Sequence, residues 1–226
     1  MASTLRFPED ISGSGSYMVL TRYNSQGFTT AELRTVDQVF IKASPIASYG
    51  MPIPNELTDS SSVSYEDIQD TNIAGKIQNA ATAKMGSAAQ MANLATGSTN
   101  PNISTMLFNG VQAKAFSFSW SLVPETKSEA NSISEIIQGL EEAKLPYFAV
   151  AGQRLKFPDI FRISFAGVRP KLLKYMPSVI TGVEANYANG HFQVYNDGNI
   201  PYIQLTVSFV EIVSRTREMQ KRLYGR

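Results

Sequence analysis

The sequence predicts an α+β fold, mostly strand with one packed amphipathic helix, and three segments carry that prediction. Residues 115–123 alternate large apolar and small polar side chains without a break. Residues 126–140 join a helix-start signal to apolar residues at helical spacing. Residues 202–213 alternate again over the longest such stretch of the chain. Period two marks a half-buried strand and a period near 3.6 an amphipathic helix, so strands flank a helix in this half.

From the N-terminus, residues 17–23 read as a strand entered from the turn-like run 12–16. Residues 24–45 are mixed, with a short helix expected over 30–39. In 48–54, Pro52 and Pro54 lack the N–H that a central ladder needs, so this stretch is expected as a sheet edge or an extended arm. A short strand is expected around 63–65. Residues 68–102 then change character, being rich in Ala, Asn, Gln and Gly. Ile73, Ile77, Ala80, Ala88 and Ala95 fall roughly on one helical face, while Gly75 and Gly86 each cost a helix about 1 kcal/mol relative to Ala. The segment is expected as an inserted, loosely packed Ala-rich helical piece, or as one that orders against a partner.

The second half is better patterned. Phe116, Phe118, Trp120 and Leu122 share one face of a strand, and Ser117, Ser119 and Ser121 share the other. Pro124 stops it. Thr126 and Glu129 have the spacing of a capping box, and Ile133, Ile136, Ile137 and Leu140 form the apolar stripe of the helix that follows. Glu129, Glu135, Glu141 and Glu142 are expected on its wetter face, with an end before Pro146. Residues 160–165 and 177–187 read as strands and 190–195 as a shorter one. Asn196, Asp197, Gly198 and Asn199 signal a turn, since Asp-Gly tolerates positive φ. In 202–213, Ile203, Leu205, Val207 and Phe209 share one face, and Tyr202, Gln204, Thr206 and Ser208 the other. Residues 214–226 form a basic tail.

The chain has 226 residues, a formal net charge of +1, 43% hydrophobic and 17% charged residues. It is long enough for one sizeable core and is read as a single domain over 1–226 with 68–102 inserted. The balanced charge argues against a dedicated nucleic-acid binder. The charged share lies below the typical value of about 25%, which suits a surface buried in an assembly. Residues 1–100 carry a net charge of −3 and residues 101–226 one of +4, as in a subunit whose two ends meet different neighbours. The absence of Cys excludes disulfide and thiolate chemistry. No apolar run approaches the ~20 residues of a membrane span, and the N-terminus lacks a signal pattern. A soluble, uncleaved, cytoplasm-made protein is expected.

Catalytic chemistry finds little support. His191, the one histidine, has no sequence partner and reads as structural. Asp67 and Asp70 read as a solvated pair. Glu184, Glu211 and Asp159 are the carboxylates on or beside strands that a glycosidase would use. No residues show metal-ligand spacing and no glycine motif follows a strand, so no cofactor, no metal and no enzymatic activity are expected. A β-sandwich glycan-binding module is an alternative from another class. Trp120 and the tyrosines would be its stacking surfaces, although Trp120 at a regular strand position reads first as core.

The succession of segments resembles a known family. Phe108-Asn109-Gly110-Val111 precedes the Phe116/Phe118/Trp120 strand. Leu122-Val123-Pro124, the capped helix and Leu155-Lys156-Phe157-Pro158 follow. The 161–165 strand, residues 172–187, Asp197-Gly198-Asn199-Ile200-Pro201 and the 205–216 stretch with Glu211 complete the order. It is similar to the baseplate tail-tube initiator (tube or tube-cap) proteins of contractile-tailed bacteriophages. Leu5-Arg6-Phe7-Pro8-Glu9-Asp10 before Tyr17-Met18-Val19 resembles the opening of that family, and 46–57 its extended Met-Pro stretch. The resemblance covers about two-thirds of the chain and leaves out 24–45 and 68–100.

The resemblance implies a tail-tube-like sandwich or half-barrel with one packed helix and extended arms. It implies a homo-hexameric ring on the baseplate hub, among wedge proteins, whose inner strands form a barrel around a channel. Such a ring initiates polymerisation of the tail tube, against an adjacent initiator or tail-tube ring and near sheath subunits. Phage DNA passes through the lumen without sequence-specific binding, and no membrane is engaged. The implied location is the virion baseplate, after assembly in the host cytoplasm. The tail-tube protein itself is the near alternative. Arg215, Arg217 and Arg222 of the basic tail are the expected inter-subunit contacts, docking on a neighbouring ring.

Overall fold

The computed structural model describes residues 3–25, 44–68, 105–148, 155–169, 173–196 and 198–224. The helix expected over 30–39, the Ala-rich segment from residue 69 onward and Asp197 of the expected turn lie outside them. The chain divides into two compact units, Met1–Ser61 with Ala113–Arg226, and Ser62–Gln112. The smaller unit holds an antiparallel pair, β5 (Val63–Ile68) and β6 (Thr105–Val111), with an irregularity between Ser64 and Tyr65. These strands make the interruption of the larger unit wider than the expected 68–102.

The larger unit contains β1 (Ser3–Arg6), a 3₁₀ turn (Ile11–Ser14), β2 (Tyr17–Tyr23), β3 (Pro45–Pro52) and β4 (Glu56–Ser60). It continues after the smaller unit with β7 (Ala115–Leu122), α1 (Lys127–Lys144), β8 (Tyr147–Phe148), β9 (Leu155–Lys156) and β10 (Ile160–Ala166). β11 (Ser178–Asn186), β12 (Ala188–Asn189), β13 (His191–Phe192), β14 (Ile203–Glu211) and α2 (Arg217–Tyr224) complete it. Eight strands form one mixed sheet in the order β1-β3-β2-β10-β11-β14-β7-β4. β1 runs parallel to β3 and every other pair is antiparallel.

This sheet is curled, and two observations require it. β3 and β7 stand five positions apart, about 24 Å in a flat sheet at the usual strand spacing, yet Trp120 Nε1 on β7 donates to the Pro52 carbonyl on β3 at 2.9 Å. The chain also passes from β3 to β4, at the far end of the order, through residues 53–55 alone, a reach of about 14 Å. The halves β1-β3-β2-β10 and β11-β14-β7-β4 therefore face each other. β10 and β11 join them through the single pair Phe161 and Ser178.

One apolar core fills the space between. β2 gives Met18 and Leu20, β3 gives Tyr49 and Met51, and β10 gives Phe161 and Ile163. Phe116, Phe118, Trp120 and Leu122 of β7 meet Ile203, Leu205, Val207 and Phe209 of β14 across the ladder. Phe118 stacks edge-on against Phe209 on its own half, at 5.8 Å, and against Phe165 of β10 on the other, at 6.2 Å. α1 packs against β11 and β1 and contributes Ile133, Ile136, Ile137, Leu140 and Ala143. The Thr126 side chain caps it, accepting from Glu129 N at 3.1 Å.

Four expectations need correction. Residues 48–54 are not an edge: β3 lies between β1 and β2. Pro52 is accommodated because β1 pairs only with residues 47–50, so no ladder donor is demanded of Pro52 on that side. Glu129 is buried rather than wet, because its carboxylate accepts from Glu125 N and Glu9 N. The strand expected over 190–195 shrinks to a four-residue pairing of β12 with β13 around Gly190 at φ +82. The 214–226 tail contains a helix, with Leu223 buried.

Gly167 has φ +71, and a Cβ there would overlap the Gly15 carbonyl oxygen. Gly167→Ala is therefore expected to cost about 2–3 kcal/mol, read as a lower urea midpoint with an unchanged slope.

Candidate assembly interface

The outward face of β11-β14-β7-β4 is made by the residues that alternate with the core. β7 contributes Ser117, Ser119 and Ser121, opposite Ser208, Thr206 and Gln204 of β14. β4 sets Glu56 beside Ser119 and Thr58 beside Ser117. β11 sets Gly182, Glu184 and Asn186 beside Ser208, Thr206 and Gln204. The hydroxyls bond one another: Ser119 Oγ and Thr206 Oγ1 lie 3.1 Å apart, and Tyr202 Oη donates to Ser121 Oγ at 3.2 Å. None of these four strands contains Lys or Arg, and the face carries two carboxylates, Glu56 and Glu184.

Among the described residues, both flanks of this half-sheet offer unpaired backbone. β4 ends the strand order, and among the described residues no strand pairs with β11 beyond Ser178 on the side away from β14. β1 is the other terminal strand. Unpaired strand edges are templates for another chain.

Two arginine clusters tie separate elements of the fold together. Arg22 continues the inward parity of Met18 and Leu20 on β2. Its Nε donates to Asp159 Oδ2 at 2.6 Å, and its Nη1 to Glu142 Oε2 at 3.2 Å and the Gly139 carbonyl at 3.4 Å. Burial alone would lower the Arg22 pKa, but the bonds to Asp159, Tyr49 and Glu142 outweigh it and hold the guanidinium charged. Burial raises the Tyr49 pKa, and Arg22 partly offsets this. Arg22, Tyr49, Gly139 and Glu142 lie along an open cleft of about 460 Å³ between α1, β1 and β3, which Leu5, Ile46 and Glu135 also line.

Arg215 anchors the second cluster. Its Nε donates to Glu211 Oε2 at 2.7 Å, and its Nη2 to Glu211 Oε1 and to the Lys174 carbonyl at 3.0 Å. Nη1 reaches Gln220 on α2 at 3.0 Å, and Glu211 Oε1 also accepts from Met176 N at 3.0 Å. Burial would lower the Arg215 pKa, and Glu211 more than compensates. Nearby, the Tyr175 ring packs 4.3 Å from Phe116, with Lys114 Nζ 5.2 Å above it. The Tyr175 hydroxyl is buried with no hydrogen-bond partner among the described residues. Burial, then the negative charge of Asp59, push its pKa up.

These clusters reassign several sequence candidates. Arg215 was expected to reach a neighbouring ring; within its own chain its donors meet the buried Glu211 carboxylate, which requires a countercharge. Arg217 is exposed on α2, and Arg222 lies on the same helix, its side chain outside the described set. Of the glycosidase candidates, Glu211 and Asp159 are each committed to an arginine, and Glu184 stands exposed on the hydroxyl face. Glu184 and Glu211 lie on opposite faces of the sheet and are not brought together as an acid–base pair. His191 is exposed at the start of β13, paired with Asn189. Trp120 is 1% exposed and offers no stacking surface for a glycan. Among the described residues, no group of three or more His, Asp or Glu could hold a metal ion. No described helix is long and apolar enough to cross a membrane.

Sequence reasoning missed Arg22, whose signal was an arginine at a core-facing position of an alternating strand. No family model and no curated protein matches the sequence.

Two outcomes are expected. Asp159→Asn leaves Arg22 short of its main counterion and should cost about 3 kcal/mol, whereas an apolar replacement of both partners should recover most of the loss; chemical denaturation measures both. Tyr175→Phe removes an unsatisfied buried hydroxyl and should add about 1 kcal/mol at neutral pH. Because folding raises the Tyr175 pKa, the native chain should lose stability as pH rises past about 10, where the unfolded phenol ionises. The variant should lose less over the same window, which pH-resolved denaturation would test.

Proposed function

We propose that this chain is a structural subunit of a contractile phage tail, a ring-forming initiator on the baseplate hub that starts the tail tube and lines part of its DNA channel. One observation carries the reading: the half-sheet β11-β14-β7-β4 is apolar toward the core, hydroxyl-rich and cation-free outward, and, among the described residues, unpaired along β4 on one flank and along β11 beyond Ser178 on the other.

Each property has a use in a ring. Copies set side by side pair the β4 flank of one with the β11 flank of the next, and closure removes the open edges that a lone subunit exposes. Such a contact joins two different surfaces, so it repeats head to tail and closes into a ring of one layer. The hydroxyl face then lines the lumen. Lys and Arg would hold passing DNA by its phosphates; a face that carries Glu56 and Glu184 instead lets the duplex move through. A completed ring meets the association cost once, and further rings add to a finished template. A hexamer on the hub fits the resemblance of segment order. The same geometry serves a tail-tube protein, from which an initiator differs in copy number: one or a few rings per tail against many.

Electron microscopy of lysates from a phage lacking this gene tests the reading. Baseplates and filled heads without tubes are the expected outcome. Complete tails of normal length would overturn it.

A further inference from the structure

We infer that the cleft between α1, β1 and β3 receives long basic side chains, and that it takes them from the α2 helix of a second copy, whose Arg217 and Lys221 reach Glu135 and Glu142. The inference rests on the ring reading above for that second copy.

The cleft pairs apolar walls with carboxylates. Leu5 and Ile46 line it beside Glu135 and Glu142 of α1. Arg22 also lines it, but Asp159 Oδ2 holds the Arg22 Nε at 2.6 Å and cancels its charge, so the two glutamates leave the cleft negative. Glu142 accepts from Arg22 as well, yet its side chain stays 75% exposed, and Glu135 is exposed too. An anion would meet these carboxylates, and an apolar group would bury them unpaired. Arg and Lys suit both surfaces, since an apolar stem carries a charged head. The stems lie over Leu5 and Ile46 while the heads reach the glutamates.

α2 is the complementary element. From residue 217 onward the sequence carries four basic residues and one acidic, whereas α1 carries four glutamates and two lysines. Arg217 and Lys221 are exposed and one turn apart, so they share a face, and that face points away from the buried Leu223. The helix is held from behind: Lys174 Nζ donates to the Leu223 carbonyl at 2.7 Å and Arg215 Nη1 to Gln220 Oε1 at 3.0 Å. Glu135 and Glu142 lie about 10.5 Å apart along α1, against about 6 Å between Arg217 and Lys221 along α2, a difference that two long side chains span by splaying.

Strand register sets where the copies stand. Ala47, Arg22, Phe161, Ser178 and Glu211 are partnered in succession from β3 to β14. The cleft and the root of α2 therefore lie at the same end of the strands. Neighbours side by side with strands aligned bring the two to one level, whereas copies stacked end on end do not. The contact thus joins unlike surfaces within one layer, as a closed ring requires. Exposed ion pairs are weak and screened by salt, so this contact selects the neighbour and its orientation rather than holding a free dimer.

A zero-length carbodiimide, which joins a lysine to a carboxylate in contact with it, tests this on the full-length chain. Isotopically labelled and unlabelled copies are mixed, so that mass spectrometry separates links between copies from links within one. Links between copies from Lys221 to Glu135 or Glu142 are expected about tenfold above those from the exposed Lys127, which report collision. They should fall about fivefold in roughly 0.5 M salt. Lys221→Glu and Glu135→Lys, both at exposed positions and each checked for an unchanged urea midpoint, should link position 221 of one to position 135 of the other when mixed. Native links no higher than the Lys127 background would overturn the inference. So would the absence of a link in the charge-exchanged mixture, or a Lys221 link confined to single copies. Links that accompany closed rings support contact and ring together. Links in open chains support the contact and count against the ring. Ring particles without the Lys221 link sink the contact and leave the ring reading in place.

Discussion

Three residues, Ile53 to Asn55, join a strand near one end of the sheet to the strand at the other, and much of the structure follows from that short link. A flat eight-stranded sheet would separate β3 from β4 by about 29 Å, twice what the link can span. The sheet must curl until its halves oppose, and once they do, a single core serves both. That is why Trp120 can be bonded from β7 to the Pro52 carbonyl, and why Phe118 meets aromatic rings from both halves. The same curl leaves β10 and β11 joined by one residue pair. A sheet bent this sharply cannot keep a full ladder at the bend, so β10 leaves β11 beyond Ser178 unpaired on that side.

The two arginine clusters hold what the core alone would leave loose. Arg22 ties β2 to the C-terminal half of α1 and to Asp159 at the entry of β10. Arg215 ties the end of β14 to the 174–176 backbone and to α2. Each guanidinium spreads its donors over two or three elements, which suits a planar fork better than a lysine ammonium. Charges with so little exposure are tolerated only when paired and hydrogen-bonded. Their worth lies less in net stability than in geometry, since each orients several elements whose apolar contacts would tolerate sliding.

The strands with an alternating pattern were legible because period two survives any tertiary arrangement: the β7 and β14 faces follow directly from their serines and their large apolar residues. The amphipathic helix was legible from its cap and its isoleucine stripe. What stayed hidden depends on partners distant in sequence. The position of β3 turns on how short β1 is, so proline at a strand end looked like an edge signal when it marked only the limit of one ladder. Glu129 looked wet by spacing, yet its carboxylate answers backbone donors at residues 9 and 125. Arg215 looked like a docking cation because Glu211 reads as one more residue of a strand; only the fold shows that this carboxylate is buried and that the arginine is its counterion. The hydroxyl face was visible in sequence as a row, but its lack of cations across four strands required the strand order.

That lack bears on what the face can be for. A sheet surface meant to dock on a second protein gains from aromatic and arginine anchors, and one meant to bind nucleic acid needs cations along the phosphates. Residues 115–122 and 203–211 supply neither outward: beside the β-branched Thr206 and Val210 they present serine and glutamine at positions where further β-branched or aromatic residues would form better strands. The loss in strand propensity is offset by the aromatic packing on the other face, so the outward row is free to be selected for its surface. Small hydroxyls that bond one another across the ladder leave little side-chain reach to snag a passing polymer. Two carboxylates per copy, repeated around the proposed ring, give a channel of one sign whose field salt screens over about 8 Å. Wall residues that bind nothing are what a conduit requires, and the outward row of this half-sheet suits the proposed channel in that respect.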